Sequence, residues 1–223
     1  MATQRARRIR RPPSDYRWVF LLVLLSFVVR ASAPEGRITD VVSVLIQGFA
    51  LLLALRTARA DERLQRIVRT LVVLAVVVTI TSVAAGLGNG SAIAGIITAL
   101  LVAVTPIYIV RDMVREPVVS LQTMWAALTI YLLIGMFFAA LYGALAAIGS
   151  GPFFAQGTDG TGPERLYFSF VTQTTTGYGD FTAASQFGRT LAVVEAMLGQ
   201  LYLVTVVSLI VGRVQRVRTQ EDD

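Results

Sequence analysis

Cysteine, histidine and lysine are all missing from this chain of 223 residues. Without cysteine there is neither a disulfide framework nor thiolate metal ligation, and the redox compartment is left open. Without histidine, imidazole is lost as a general base, a metal ligand and a switch near neutral pH, which removes the commonest routes to enzymatic chemistry. The fourteen acidic residues form no cluster suited to acid–base or metal work, so no enzyme is expected. All twenty basic residues are arginine, and the net charge of +6 would suit nucleic acid or anionic lipid if it were concentrated on one surface. It is not so concentrated, and membrane topology explains its distribution better.

What the chain has in excess is apolar residues, 55% of the total, gathered into long runs. Runs of this kind belong in a lipid bilayer rather than a water-exposed globule. Six stand out, at 17–32, 39–55, 70–85, 91–110, 121–148 and 187–211. A helix rises about 1.5 Å per residue, so roughly 20 residues cross the hydrocarbon core. Six spanning helices are therefore predicted. Short connections at Pro34–Arg37 and Gly86–Gly90 carry the Gly, Pro and Asn of tight hairpins.

Arginine sets the orientation, because cytoplasmic loops retain it and short exported loops do not. Arg5, Arg7, Arg8, Arg10 and Arg11 fall on one side, with Arg56, Arg59, Arg63, Arg66 and Arg69, then Arg111 and Arg115, then Arg213, Arg216 and Arg218. Only Arg37, Arg165 and Arg189 fall on the other. Both termini are predicted to be cytoplasmic in a multi-pass protein of the cell membrane, with 149–186 facing outward. The basic start, the apolar stretch Trp18–Val29 and Ala31-Ser32-Ala33 also resemble a cleavable signal peptide. A retained first helix is preferred, since it gives the second helix a partner.

The outward segment is more than a loop. Residues 163–174 read as a short helix: Pro163 suits a first helical turn and Glu164 complements the helix dipole. About twelve residues reach only partway through a bilayer, which describes a re-entrant helix. Non-helical backbone at that depth is tolerated only where it lines water or is packed in protein, and Thr174-Thr175-Thr176-Gly177-Tyr178-Gly179-Asp180 follows at once.

This segment resembles the filter of the potassium-channel pore family, whose signature is a TVGYG-type strand after a pore helix. The resemblance covers about 121–213 and implies an all-α membrane protein with six transmembrane helices, a re-entrant pore helix and a filter at 175–179. It also implies a homotetramer in the bilayer, since one strand cannot encircle an ion, with K+ as permeant ion and no cofactor or nucleic-acid partner. Potassium must shed its water without a large penalty, so a file of carbonyls has to replace the hydration shell. By resemblance the carbonyls of Thr175, Thr176, Gly177 and Tyr178 line the ion sites, and the Thr175 hydroxyl adds the innermost ligand. Gly177 and Gly179 permit backbone angles that a Cβ disfavours. Tyr178 is expected to point away and wedge the filter open.

Two departures from the family pattern matter. Thr176 stands where valine is usual, a nearly isosteric change that leaves the carbonyl available. Val171 stands where some bacterial members carry a glutamate paired with the aspartate after the filter, so Asp180 is expected to accept instead from the Tyr167 hydroxyl. Glu195 lies deep inside the last span, where an ionisable group is a functional candidate by default. Two turns into the helix it can reach Ser or Thr hydroxyls behind the pore helix, and support of the filter is preferred over a direct ion site. Gly199, midway along the same span, is a gating-hinge candidate, with close helix packing as the other reading.

Arg56, Arg59, Arg63, Arg66 and Arg69 have the three-to-four spacing of a voltage sensor, but Asp61, Glu62 and Gln65 intervene and the fourth run carries no charge. A cytoplasmic loop and little intrinsic voltage sensitivity are predicted. The domains expected are a basic cytoplasmic N-terminus at 1–16, a four-helix membrane domain at 17–115, a pore domain at 120–212 and a short cytoplasmic tail at 213–223. With so short a tail, no ligand-gating domain is expected. The function expected is passive, potassium-selective permeation. A weakly selective cation channel, or a non-conducting scaffold or transporter subunit, is the alternative.

Overall fold

The computed structural model describes residues 15–32, 37–58, 60–85, 99–100, 102–112 and 121–208. They are helical almost throughout: α1 (Tyr16–Ser32), α2 (Arg37–Thr57), α3 (Glu62–Ala85), α4 (102–112), α5 (Leu121–Ile148), α6 (Gly162–Gln173) and α7 (Gln186–Tyr202). A π-helical turn, Leu203–Val207, continues α7. Among the described residues there is no strand, only an isolated antiparallel bridge between Phe154 and Ala183. Helices are what apolar runs must form where no water can satisfy backbone N–H and C=O groups.

Among the described residues, three helical stretches are long and apolar enough to cross a membrane, at Glu62–Thr81, Leu121–Ile148 and Gln186–Val206. Val41–Thr57 is a shorter apolar helix, and α1 has 17 residues. The fourth run is described only in part, and the two hairpins at 34–37 and 86–90, the first 14 residues and the last 15 lie outside the described residues or nearly so. At 28 residues α5 extends about 42 Å, more than the hydrocarbon core is thick.

Helix α1 packs on α2 and on α5, and its far end reaches α6. Phe27 meets Phe170 of α6 with ring centroids 4.6 Å apart, and Phe20 meets Trp125 of α5 at 5.2 Å. At its start, the Tyr16 hydroxyl donates to Asp112 of α4 at 2.7 Å and the Tyr16 N–H donates to Gln122 of α5 at 2.9 Å. The first helix is thus a direct brace for the segment that carries the TTTGYGD motif. An apolar stripe in the sequence does not say whether lipid or protein covers it.

The arginine pattern also sits differently from the loop expected. Helix α3 starts at Glu62, well before the apolar run, with its acidic residue in the first turn where the helix dipole favours it. Arg63, Arg66 and Arg69 are therefore exposed side chains on the first turns of α3, and Arg56 is exposed in the last turn of α2. Arg59 lies outside the described residues.

Candidate functional site

Helix α6 is built from its cap upward. Thr161 is the N-cap: its hydroxyl accepts from the Glu164 N–H at 3.2 Å, and the Glu164 carboxylate accepts from the Thr161 N–H at 2.6 Å. This reciprocal pair satisfies two backbone donors that the helix itself leaves open, with Pro163 in the first turn. The helix runs from Gly162 to Gln173, one residue earlier at each end than its sequence predicts. Arg165 closes the turn before it, donating to the carbonyls of Asp159 and Gly160.

At the other end, Gln173 is fully buried and donates from Nε2 to the Tyr131 carbonyl of α5 at 2.9 Å. It lies between two glycines: a Cβ on Gly135 of α5 would collide with its Oε1, and a Cβ on Gly199 of α7 would collide with its carbonyl. Here the glycines serve close approach. Helix α7 runs unbroken through Gly199, and its departure from α geometry comes later, at Leu203–Val207. Such π turns are points where helices bend.

The TTTGYGD segment leaves α6 with its donors turned inward. Thr175 N–H donates to the Thr172 carbonyl at 2.9 Å, while Thr176 and Gly177 donate to the Val171 carbonyl at 2.9 and 3.3 Å. The carbonyls of Thr175, Thr176, Gly177 and Tyr178 accept no hydrogen bond from any described residue. Residues 175–178 are exposed in the single chain, so these four acceptors are open to solvent or to an ion. The dihedrals share a period of two: φ is +57° at Thr175, +56° at Gly177 and +81° at Gly179, and positive at neither Thr176 nor Tyr178. Alternating handedness turns successive peptide planes the same way, so one edge collects N–H groups and the other collects carbonyls. Two of the three positive positions are glycine, for which this is free. Thr175 is β-branched, and left-handed backbone there costs about 1–3 kcal/mol, the kind of strain that concentrates at functional sites.

Side chains brace the strand. Thr174 donates to the Phe170 carbonyl at 2.7 Å and lies 2.9 Å from the Thr176 hydroxyl, so Thr176 is the donor of that pair. Tyr178 stacks on Tyr167 of α6, centroids 6.4 Å apart and planes 6° from parallel. The Tyr167 hydroxyl faces Asp180, whose carboxylate accepts from the Phe181 N–H at 3.0 Å. Beyond the motif, the loop before α6 pairs with the segment that follows it: Ala155 N–H donates to the Thr182 carbonyl and Ala184 N–H to the Phe153 carbonyl, both at 2.8 Å. Phe153, Phe154, Phe168 and Tyr142 form an aromatic core beneath that pairing.

Glu195 of α7 is fully buried behind α6. Its Oε2 accepts from the Tyr142 hydroxyl of α5 at 2.5 Å, and its Oε1 lies 2.5 Å from the Ser169 hydroxyl of α6. Ser169 in turn lies 2.6 Å from the Gly135 carbonyl. A serine hydroxyl has one proton, and a carbonyl has none to give. Ser169 therefore shares its one proton between the Gly135 carbonyl and the Glu195 carboxyl. Three helices meet on this one group.

Sequence reasoning read the motif, the short helix and a Glu195 able to reach a Ser or Thr hydroxyl behind it, which in the structure is Ser169. It missed Tyr142 and Gln173, which nothing in their own neighbourhoods marks, and it missed Gln200, whose Nε2 donates to the Thr175 hydroxyl at 2.8 Å. A polar residue in an otherwise apolar inner span was the signal available for Gln200.

Residues 126–216 match a family model described as an ion channel. A curated relative, "Probable potassium channel protein 2" of Methanocaldococcus jannaschii, is 53% identical over 45 residues, which make up 20% of this chain and 13% of that protein. The match thus spans about an eighth of the relative's length. No solved structure matches the chain.

Proposed function

We propose, from the premise that residues 126–216 belong to the potassium-channel pore-loop family, that the chain is one subunit of a tetrameric channel conducting K+ passively and selectively through Thr175–Gly179. The observation that carries this is the row of carbonyls at Thr175, Thr176, Gly177 and Tyr178, on alternately handed backbone and without protein donors. Such oxygens can replace the hydration shell of a cation step by step, with no carboxylate to trap it. The Thr175 hydroxyl would add the innermost ligand.

One strand cannot surround an ion, so the reading requires copies of the chain. Val193, Met197, Leu201 and Val204 form an exposed apolar stripe along α7 and its π turn, and Tyr178 is 70% exposed in the single chain. Neighbouring subunits in a fourfold ring would cover both. Tyr167, Asp180 and Glu195 would hold the strand in shape from behind, and Gly199 would hold the inner helix against its base rather than act as the hinge. Arg63, Arg66 and Arg69 sit on an end of α3, exposed, which supports little intrinsic voltage sensitivity. The termini would lie in the cytoplasm of a cell-membrane protein.

The test is K+ against Na+ flux from purified protein in liposomes, with Gly177→Ala alongside. Potassium-selective flux abolished by the substitution is expected, since alanine is strained at φ +56°. Equal sodium flux would demote the segment to a weakly selective pore. No flux in either ion would favour a scaffold or transporter subunit.

A further inference from the structure

The contact between Gln200 and Thr175 belongs to neither the helix packing nor the backbone of the candidate filter. Gly199 lets α7 approach until a side chain there would strike the Gln173 carbonyl, and that approach delivers the next residue to the base of the strand. The Gln200 carboxamide then donates from Nε2 to Thr175 Oγ1 at 2.8 Å, across 25 residues of sequence. Thr175 is the one non-glycine among the described residues with positive φ, so its side chain leaves the backbone in a direction that ordinary rotamer preferences do not stabilise. Its Oγ1 has one proton and two lone pairs. The Gln200 N–H takes one lone pair and leaves the other for a cation, with the rotamer held in place.

We propose that Gln200 is a positioning residue for the innermost cation site: its carboxamide orients the Thr175 hydroxyl and thereby sets how tightly that site holds an ion. The proposal rests on the reading of Thr175–Gly179 as an ion-binding strand. In a ring of subunits each Thr175 would carry its own Gln200, so the polar collar beneath the strand comes from the inner helix, in a position that the neighbouring Leu198 and Leu201 show to be otherwise apolar. Orientation of a ligand through a second hydrogen bond is the same device that fixes metal-binding side chains elsewhere.

The experiment is calorimetric titration of the full chain, purified in detergent without alkali cations, with K+ and with Ba2+, which has nearly the radius of K+ and twice its charge. Gln200→Leu and Gln200→Met remove the amide while keeping the bulk. Each is expected to weaken Ba2+ binding about three- to tenfold, the worth of one hydrogen bond to a ligand, with the thermal unfolding midpoint unchanged. Thr175→Ser keeps the hydroxyl and should keep the Gln200 effect. In a Thr175→Val background the same Gln200 substitutions should change affinity less than about twofold, because coupling disappears with the partner. Unchanged Ba2+ affinity in both Gln200 variants overturns the proposal, as does an equal shift with and without the Thr175 hydroxyl. If the unmodified protein binds neither K+ nor Ba2+, the ion-binding reading itself fails, and the proposal with it.

Discussion

Replacing Glu195 separates its role as a hydrogen-bonding hub from that of a buried charge. Glu195→Ala leaves the Tyr142 hydroxyl, 0% exposed, without its acceptor, while Ser169 keeps the Gly135 carbonyl. One orphaned buried donor costs about 1–3 kcal/mol. The missing side chain adds a cavity worth on the order of 1 kcal/mol. Together these come to about 2–4 kcal/mol, which for a chain of this size lowers the unfolding midpoint by roughly 4–16 °C. Glu195→Gln should behave quite differently. Its Oε1 can accept from Tyr142 and its Nε2 can donate to Ser169, which still donates to Gly135, so each of these groups keeps a partner. The assay is thermal unfolding in detergent beside K+ flux from liposomes. Near-native midpoint and flux for Glu195→Gln, with a lowered midpoint and lost flux for Glu195→Ala, are expected. A glutamine variant as damaged as the alanine one would refute this reasoning, since it would mean that a negative charge, not a hydrogen-bonding shape, is what the three helices need. An alanine variant indistinguishable from the unmodified protein would refute the hub altogether.

Further outcomes follow from the same geometry. Thr176→Val keeps the shape and the carbonyl and removes only the donor to Thr174, so K+ over Na+ flux should be retained with a stability loss of about 1 kcal/mol, read by thermal unfolding. A collapse of selectivity in that variant would mean that the hydroxyl, not the carbonyl row, discriminates. Gly199→Ala should destabilise the folded protein even in detergent, because the new Cβ meets the Gln173 backbone rather than a movable side chain. A stable Gly199→Ala protein with altered opening would instead restore the hinge reading.

Much of the architecture was legible because it rests on local rules. The fifth apolar run coincides with α5 from Leu121 to Ile148, and Pro163 with Glu164 marks the first turn of α6. Boundaries slipped where the helix and the apolar run part company. Helix α3 begins at Glu62, since arginine, leucine and glutamine are good helix formers whether or not lipid surrounds them. The reach of Glu195 toward a hydroxyl behind α6 was readable from helical periodicity, but Tyr142 as its second partner was not, being 53 residues away. The hinge candidate at Gly199 shows the limit most clearly: a glycine in a span reads the same whether it bends a helix or admits a neighbour.

By itself, then, the order of residues determined the helical, membrane-seeking character of the chain and the chemistry of the TTTGYGD segment. Apolar run length, caps and the glycines at 177 and 179 act within a few residues of themselves. Only the tertiary structure decided that Thr175 adopts φ +57°, that Gln173 is gripped between Gly135 and Gly199, that Gln200 meets the Thr175 hydroxyl, and that α1 braces α6 through Phe27. Those features join residues 25 or more positions apart, or impose strain that local propensity opposes. They exist because close packing brings particular surfaces into contact, and no periodicity along the chain records which surfaces those are.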